Sequence, residues 1–277
     1  MHDVTIVIVC YNSSSILPEL LASLPNSVAV TLVNNSPNDQ LDQFASDWVK
    51  VITLDKNVGF GVGCNLGASN VSTRYILFLN PDTRLQSGAI DAFMQSANDH
   101  PEASAFNPVL TDSDGKLRNK RRSVLLHRGH RLSAQAAQVD GDVPVLTGAA
   151  LMVRADAFFQ TGGFDPEIFL YHEDDDLSIR LKALGPLRIV GAAKVKHDGG
   201  HGSGDRTASA SIKAFYMGQS RVYAMRKHKR SMPLLRSIAQ ATLQLLSPST
   251  WISRRKRTKQ IHFLRGILSA PSTEFHP

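Results

Sequence analysis

Short, β-branched apolar runs alternate with helix-forming stretches through the first 110 residues, and that alternation leaves few folds open. Val4–Cys10 is such a run, closed by the polar pair Tyr11-Asn12. Val28–Val33 is closed by Asn34-Asn35-Ser36-Pro37, Val51–Leu54 precedes Asn57, Tyr75–Leu79 ends at Asn80-Pro81-Asp82, and Ala103–Leu110 completes the set. Apolar runs this short, with no polar alternation, suit strands buried on both faces. Ile16–Leu24, Asp42–Val49, the Gly-rich segment from Asn57 to Gly67 and Ser87–Asn98 read as the intervening helices. The expectation is an α/β fold: a mostly parallel sheet flanked by helices. Right-handed crossovers then bring the polar strand ends to one edge, so that Tyr11, Asn12, Asn34, Asn35, Asn57 and Asp82 share a cleft.

The second half reads differently. Residues 112–142 are polar and basic (Lys116, Lys120, Arg121, Arg122, Arg128, Arg131) and suggest an excursion or mobile loop. Val145–Val153 is apolar again, a helix follows over Ala155–Gln160, another over Asp174–Leu184, and Leu187–Val190 reads as a strand. Residues 211–230 have an amphipathic helical pattern, which Pro233 interrupts before Leu234–Leu246 resumes it. Charge is unevenly placed. Residues 1–107 hold 4 Lys/Arg against 10 Asp/Glu, whereas residues 206–277 hold 14 Lys/Arg and one acid, Glu274. Such a tail calls for an anionic partner. Arg254-Arg255-Lys256-Arg257, followed by Phe263-Leu264 and Ile267-Leu268, is the candidate surface anchor. No apolar stretch approaches the roughly 20 residues of a membrane span, and no basic stretch precedes the first apolar run, so no cleaved leader is expected. The two cysteines, Cys10 and Cys64, read as small buried residues in a reducing compartment.

Chemistry concentrates in Glu173-Asp174-Asp175-Asp176. Four consecutive carboxylates repel one another, and their ionised state needs a metal, cations or a helix N-terminus for support. Capping a helix explains one or two of them but not four.

Gly162-Gly163-Phe164-Asp165, then Glu173-Asp174-x-Asp176-Leu177 and Arg180, resembles the acceptor-side signature of family 2 glycosyltransferases. Thr5–Asn12 is similar to that family's first strand, and Val33–Asp39 to its Val-Asp-Asn-x-Ser-x-Asp element. The segment from Asn57 through Gly59, Phe60 and Asn65 to Gly67 resembles the Gly-rich stretch of its rhamnosyltransferase-like members, and Leu79-Asn80-Pro81-Asp82 stands where its Asp-x-Asp element belongs. The resemblance runs in order over residues 4–203 and implies the GT-A fold. It divides the chain into a glycosyltransferase domain at 1–205 (a nucleotide-sugar half at 1–110 and an acceptor half at 111–205) and a basic helical extension at 206–277.

The resemblance implies a metal-dependent, inverting transfer. Asp174 would be the general base, Glu173 and Asp176 would orient the acceptor or Arg180, and Arg180 would balance the acids. Asp82 would bind Mg²⁺ or Mn²⁺, and His197, with His201 as a second candidate, would ligate the metal or bind the diphosphate from a Gly-rich loop able to close over the donor. Asn80 replaces the family's first Asp, so metal affinity would depend on bound donor. Tyr11, Asn12, Asn34, Asp39, Asn57, Gly59, Phe60, Asn65 and Asn80 would form the donor side. Asn34 can pair with a uracil or thymine edge or simply form a turn. Asp39 can contact base or ribose or cap a helix. The implied donor is dTDP-L-rhamnose, with a UDP-sugar or a sugar nucleotidyltransferase activity as alternatives. The implied acceptor is a polyprenyl-diphosphate-linked saccharide in cell-surface polysaccharide synthesis, met at the inner face of the plasma membrane, with room for a homodimer. A nucleic-acid partner is disfavoured, since no reading helix or aromatic platform is recognisable. A dinucleotide fold is disfavoured as well: Gly59–Gly67 contains no Gly-x-Gly-x-x-Gly and follows the third strand.

Overall fold

The computed structural model describes residues 3–197 and 206–271. A single sheet of nine strands forms its centre. Six strands are parallel: β1 (Val4–Cys10), β2 (Ala29–Asn34), β3 (Val49–Thr53), β4 (Tyr75–Leu79), β6 (Ala105–Thr111) and β9 (Leu187–His197). Three run against them: β8 (Ala150–Arg154) lies between β4 and β6, while β5 (Thr83–Leu85) and β7 (Gly141–Asp142) pair with β9. The path across the sheet is β3-β2-β1-β4-β8-β6-β9-β5.

The two-residue period of β1 sorts its side chains onto two cores. Val4, Ile6, Ile8 and Cys10 face a cluster with Leu17 and Leu20 of α1 (Leu17–Ala22) and Ile90 and Phe93 of α3 (Ala89–Asp99). Val7 and Val9 face another with Cys64 of α2 (Phe60–Ala68), Phe158 of α4 (Ala155–Gln160) and Leu177 of α5 (Glu173–Lys182). Both cysteines are therefore buried and unbridged, on opposite faces, and burial pushes both thiols up. Helix α2 lies close on β1: a Cβ at Gly67 would stand 2.5 Å from Val7 Cγ1. Close packing is thus what this glycine does.

Three expectations need correction. Asp42–Val49 is not a helix: only Asp42–Phe44 makes a 3₁₀ turn, Ala45 is already extended, and Val49 bonds back to Ser46 as β3 begins. Strand β5 has no counterpart in the sequence pattern. Strand β9 runs well past Val190, through Gly191-Ala192-Ala193 to His197, with a register shift opposite Pro108/Val109. That extension matters for the site.

Four C-terminal helices follow: α6 (Arg206–Lys227), α7 (Pro233–Leu245), α8 (Pro248–Ile252) and α9 (Arg254–Leu268). Helices α6, α7 and α9 share a small core around Ala214, Val222, Ala241, Phe263 and Ile267. The end of α6 also packs Tyr223, Ala224 and Met225 against Leu125 and Ile168 of the α/β part. The two parts are bonded as well as packed, because Lys227 and His228 reach Asp176 in the first turn of α5. Among the described residues no helix is long and apolar enough to cross a membrane.

Candidate active site

The four acids form the first turn of α5, where helix N–H groups favour negative charge. Tyr171 and His172 lead into that turn with φ of 67° and 69°, a left-handed pair that only surrounding structure can impose on non-glycine residues. The turn then sends its carboxylates in different directions. Asp174 Oδ1 accepts from Lys120 Nζ at 2.7 Å, and Oδ2 accepts from the Gly148 amide at 3.0 Å. Asp175 lies 3.1 Å from the same Lys120 and 2.9 Å from His172 Nδ1. Burial raises the Asp175 pKa, but the Lys120 charge and the His172 hydrogen bond outweigh it and hold the group well below the usual carboxylate range. The two carboxylate charges overcome burial in the same way at Lys120, whose pKa is pushed up. At Glu173 a backbone hydrogen bond and the Lys120 charge pull the pKa down but are outweighed. Its Oε2 is buried without a hydrogen bond, and burial, then the Asp174 charge, push the carboxyl up to about 8.

Asp176, expected to orient the acceptor or Arg180, and Arg180, expected to balance the acids, do not line the cleft. Asp176 is fully buried beneath it, bonded to Arg180 at 2.6 Å and to Lys227 and His228 at 2.8 Å each. Arg180 also donates to the Thr161 and Gly163 carbonyls and thereby closes the Gly162-Gly163 turn. Arg180 does balance an acid, as anticipated, but one that anchors the helix.

Asp82 and His197 line the same cleft. Strand β5 pairs with the far end of β9 in the register Thr83↔His197, which puts Asp82 Oδ1 3.3 Å from His197 Nε2. Phe60, Asn80, Asp82, Lys120, Glu173, Asp174, Asp175 and His197 share one cleft of about 1190 Å³. The loop carrying His201 lies outside the described residues.

The other donor-side candidates form a hydrogen-bonded cluster at the ends of β1 and β2. The Asn34 amide is used within its own turn, donating to the Asp39 carbonyl at 2.7 Å and accepting from Ser36 N at 3.2 Å. Asp39 accepts from the Ser13 and Ser14 amides at 2.6 and 3.2 Å, the geometry of a cap on the segment entering α1. Asn12 accepts from Ser36 Oγ at 2.7 Å, and Tyr11 beside it is 45% exposed. Asn57 accepts from Asn35 Nδ2 and from Gly59 N, both at 2.9 Å. Gly59 takes φ +88°, where an added Cβ would strike the Phe169 carbonyl oxygen at 2.5 Å, and so delivers Phe60 to the cleft. Asn65 does not face a donor: its amide bonds both the N–H and the C=O of Phe164, each at 2.8 Å, and fastens α2 to the turn before α5. Lys120 and Gly148 were not singled out as site residues from sequence. Lys120 was visible only as one of several cations in a basic stretch.

Comparison with known proteins agrees with this architecture. Residues 5–160 match the model for glycosyl transferase family 2. The chain is 30% identical over 251 residues to the N-acetylglucosaminyl-diphospho-decaprenol L-rhamnosyltransferase of Mycobacterium tuberculosis, covering 76% of this chain and 80% of that one. It is 28% identical over 240 residues to the pre-mycofactocin glycosyltransferase of the same organism, spanning 84% of this chain and half of the relative's length. Among solved structures, residues 1–349 of S. aureus TarS in complex with UDP superpose with a TM-score of 0.57 at 13% identity, over 96% of this chain and 90% of that one. GalNAc-T7 with UDP, GalNAc and Mn²⁺ superposes with a TM-score of 0.61 at 15% identity, over 96% of this chain but only 56% of its own length. These likenesses show the GT-A fold, and with the sequence matches they establish that the chain belongs to glycosyl transferase family 2.

Proposed function

We propose that the protein is an inverting rhamnosyltransferase that moves L-rhamnose from dTDP-L-rhamnose to a polyprenyl-diphosphate-linked saccharide. The observation that carries this reading is the shared cleft, which Asp174 and the Asp82–His197 pair both line. The acceptor hydroxyl gives its proton to Asp174 as its oxygen bonds to the anomeric carbon. The bond from that carbon to the donor phosphate breaks, its electron pair leaves with the nucleoside diphosphate, and attack from the opposite side inverts the centre. Lys120 and the Gly148 amide hold the base in position. Glu173, protonated near neutral pH, can donate to an acceptor oxygen. The identity of the mycobacterial relative supports the choice of sugar and of a lipid-diphosphate acceptor.

Asp82 and His197 offer one oxygen and one nitrogen on the cleft wall, and no group of three or more such side chains occurs among the described residues. That set fits a divalent cation whose shell is completed by the donor's own phosphate oxygens. When bound, such a cation would offset the charge growing on the departing diphosphate. A thermal-shift panel tests donor and metal together. At a hundredfold excess over Kd, dTDP-L-rhamnose with Mg²⁺ or Mn²⁺ is expected to stabilise the protein by about 2.7 kcal/mol, and chelator or Asp82→Asn should remove most of that gain. Stronger stabilisation by UDP-sugars would overturn the donor, and an undiminished shift in chelator would overturn the metal.

The acceptor's lipid would be met at an anionic membrane. Leu243 of α7, Leu246 just after it, and Trp251 and Ile252 of α8 are 64–87% exposed, and Arg254, Arg255, Lys256 and Arg257 directly after them are exposed too. Apolar side chains beside a cationic run suit an interface with anionic headgroups. Co-sedimentation should be strong with vesicles containing phosphatidylglycerol and weak with neutral ones. Trp251→Ala with Ile252→Ala should lower it by about tenfold or more. Equal sedimentation with both kinds of vesicle would reject the headgroup attraction.

A further inference from the structure

Cationic side chains of the C-terminal helices line the same cleft as Asp174. On α6 the residues Lys213, Met217 and Arg221, spaced four apart, all line it, as do Arg236 and Gln240 on α7. Residues four apart share a helix face, so each helix turns one stripe toward the cavity. Burial, then the nearby Arg236 charge, lowers the Arg221 pKa, so packing holds two guanidinium groups close enough to repel. Arg221 Nε donates to Ser237 Oγ at 3.2 Å, which fixes the group across the two helices. No acid compensates Arg221 and Arg236 from their own helices, because residues 206–271 contain neither Asp nor Glu. The carboxylates lining the cleft are Asp82, Glu173, Asp174 and Asp175, and the last two are already paired with Lys120. Like charges gathered in a partly buried cavity are relieved by a bound anion, and paired arginines suit phosphate oxygens in particular.

We infer that Arg221 and Arg236, with Lys213 on the same α6 stripe, bind the acceptor's diphosphate, the group that joins its lipid to its sugar. This rests on the reading of the acceptor as a lipid-linked saccharide. The donor-side residues come from the loops after β1 to β4, whereas these cations come from α6 and α7, so the two diphosphates are held by separate parts of the chain. The exposed apolar side chains of α7 and α8 belong to the same helical group and offer the lipid a way to the membrane.

Calorimetry on the full chain separates the possibilities, with geranylgeranyl diphosphate, geranylgeraniol and dTDP as probes. The diphosphate should bind and the alcohol should not. Arg221→Gln and Arg236→Gln should each weaken the diphosphate by about tenfold or more, a loss typical of one charge-assisted contact, without a matching loss for dTDP. Melting temperatures check folding, and Arg236→Gln keeps the test valid if Arg221→Gln unfolds. The inference is overturned if the wild-type chain ignores the diphosphate, if both variants retain it, or if dTDP weakens by the same factor. A wild-type chain that binds the diphosphate yet never glycosylates a lipid-diphosphate saccharide would sink the proposed function and leave the site standing.

Discussion

Replacing Asp174 by Asn should lower kcat by about 10²- to 10⁴-fold, the usual contribution of a positioned base, with nucleotide-sugar binding intact. The amide keeps the shape of the carboxylate and one oxygen for Lys120 or Gly148, but it cannot take the acceptor proton. Single-turnover transfer of radiolabelled sugar measures the loss, and the thermal shift with donor measures what is kept. Lys120→Met should lower kcat less, since the base survives while its support goes. Transfer by Asp174→Asn within threefold of the wild-type rate would remove this residue from the mechanism. The acid beside it would then be examined first, because Glu173 lines the same cleft and carries the raised pKa.

Asp176→Ala is expected to cost stability, by about 3–5 kcal/mol, because deleting one member of a buried ion cluster leaves its partners unpaired. Arg180, Lys227 and His228 all lose their common anion, and with it goes a tie between α5 and α6. The pH dependence has a definite sign. Burial raises the Asp176 pKa, but the His228 hydrogen bond and the Arg180 and Lys227 charges outweigh it and hold the carboxyl at about 2. The folded value lies below the unfolded one of about 3.9, so the contribution is present above pH 4 and is lost as pH falls toward 2. Urea denaturation at pH 7 and pH 3 should therefore find a gap between wild type and variant that narrows in acid. A loss under about 1 kcal/mol at pH 7 would mean that the cluster is not held together as described.

What could be read without coordinates follows from local physics. Tyr75–Leu79 was recovered at both ends because burial on both faces demands an uninterrupted apolar run and polar residues stop it. The helix over the acids was recovered to within one residue at its start, since charge at a helix N-terminus is a short-range effect. Asp42–Val49 failed for the converse reason. Phe44 and Trp48 pack against the core from a turn, and their spacing imitates a helix. Strand β5 is only three residues long, too short to show any period. Gly191-Ala192-Ala193 looked like the end of a strand because small residues carry no pattern, yet the sheet continues through them.

Residue types and their order along the chain were enough to indicate the α/β class and the family and to single out the run of four acids, because burial, capping and charge repulsion act between near neighbours. They were not enough to divide labour among those acids. Lys120 meets Asp174 across 54 residues, Asp82 meets His197 through a three-residue strand, and His228 reaches Asp176 from a later helix. Each of those meetings depends on strand register and helix packing, which are set by the summed fit of the whole core and leave no mark at the positions they join.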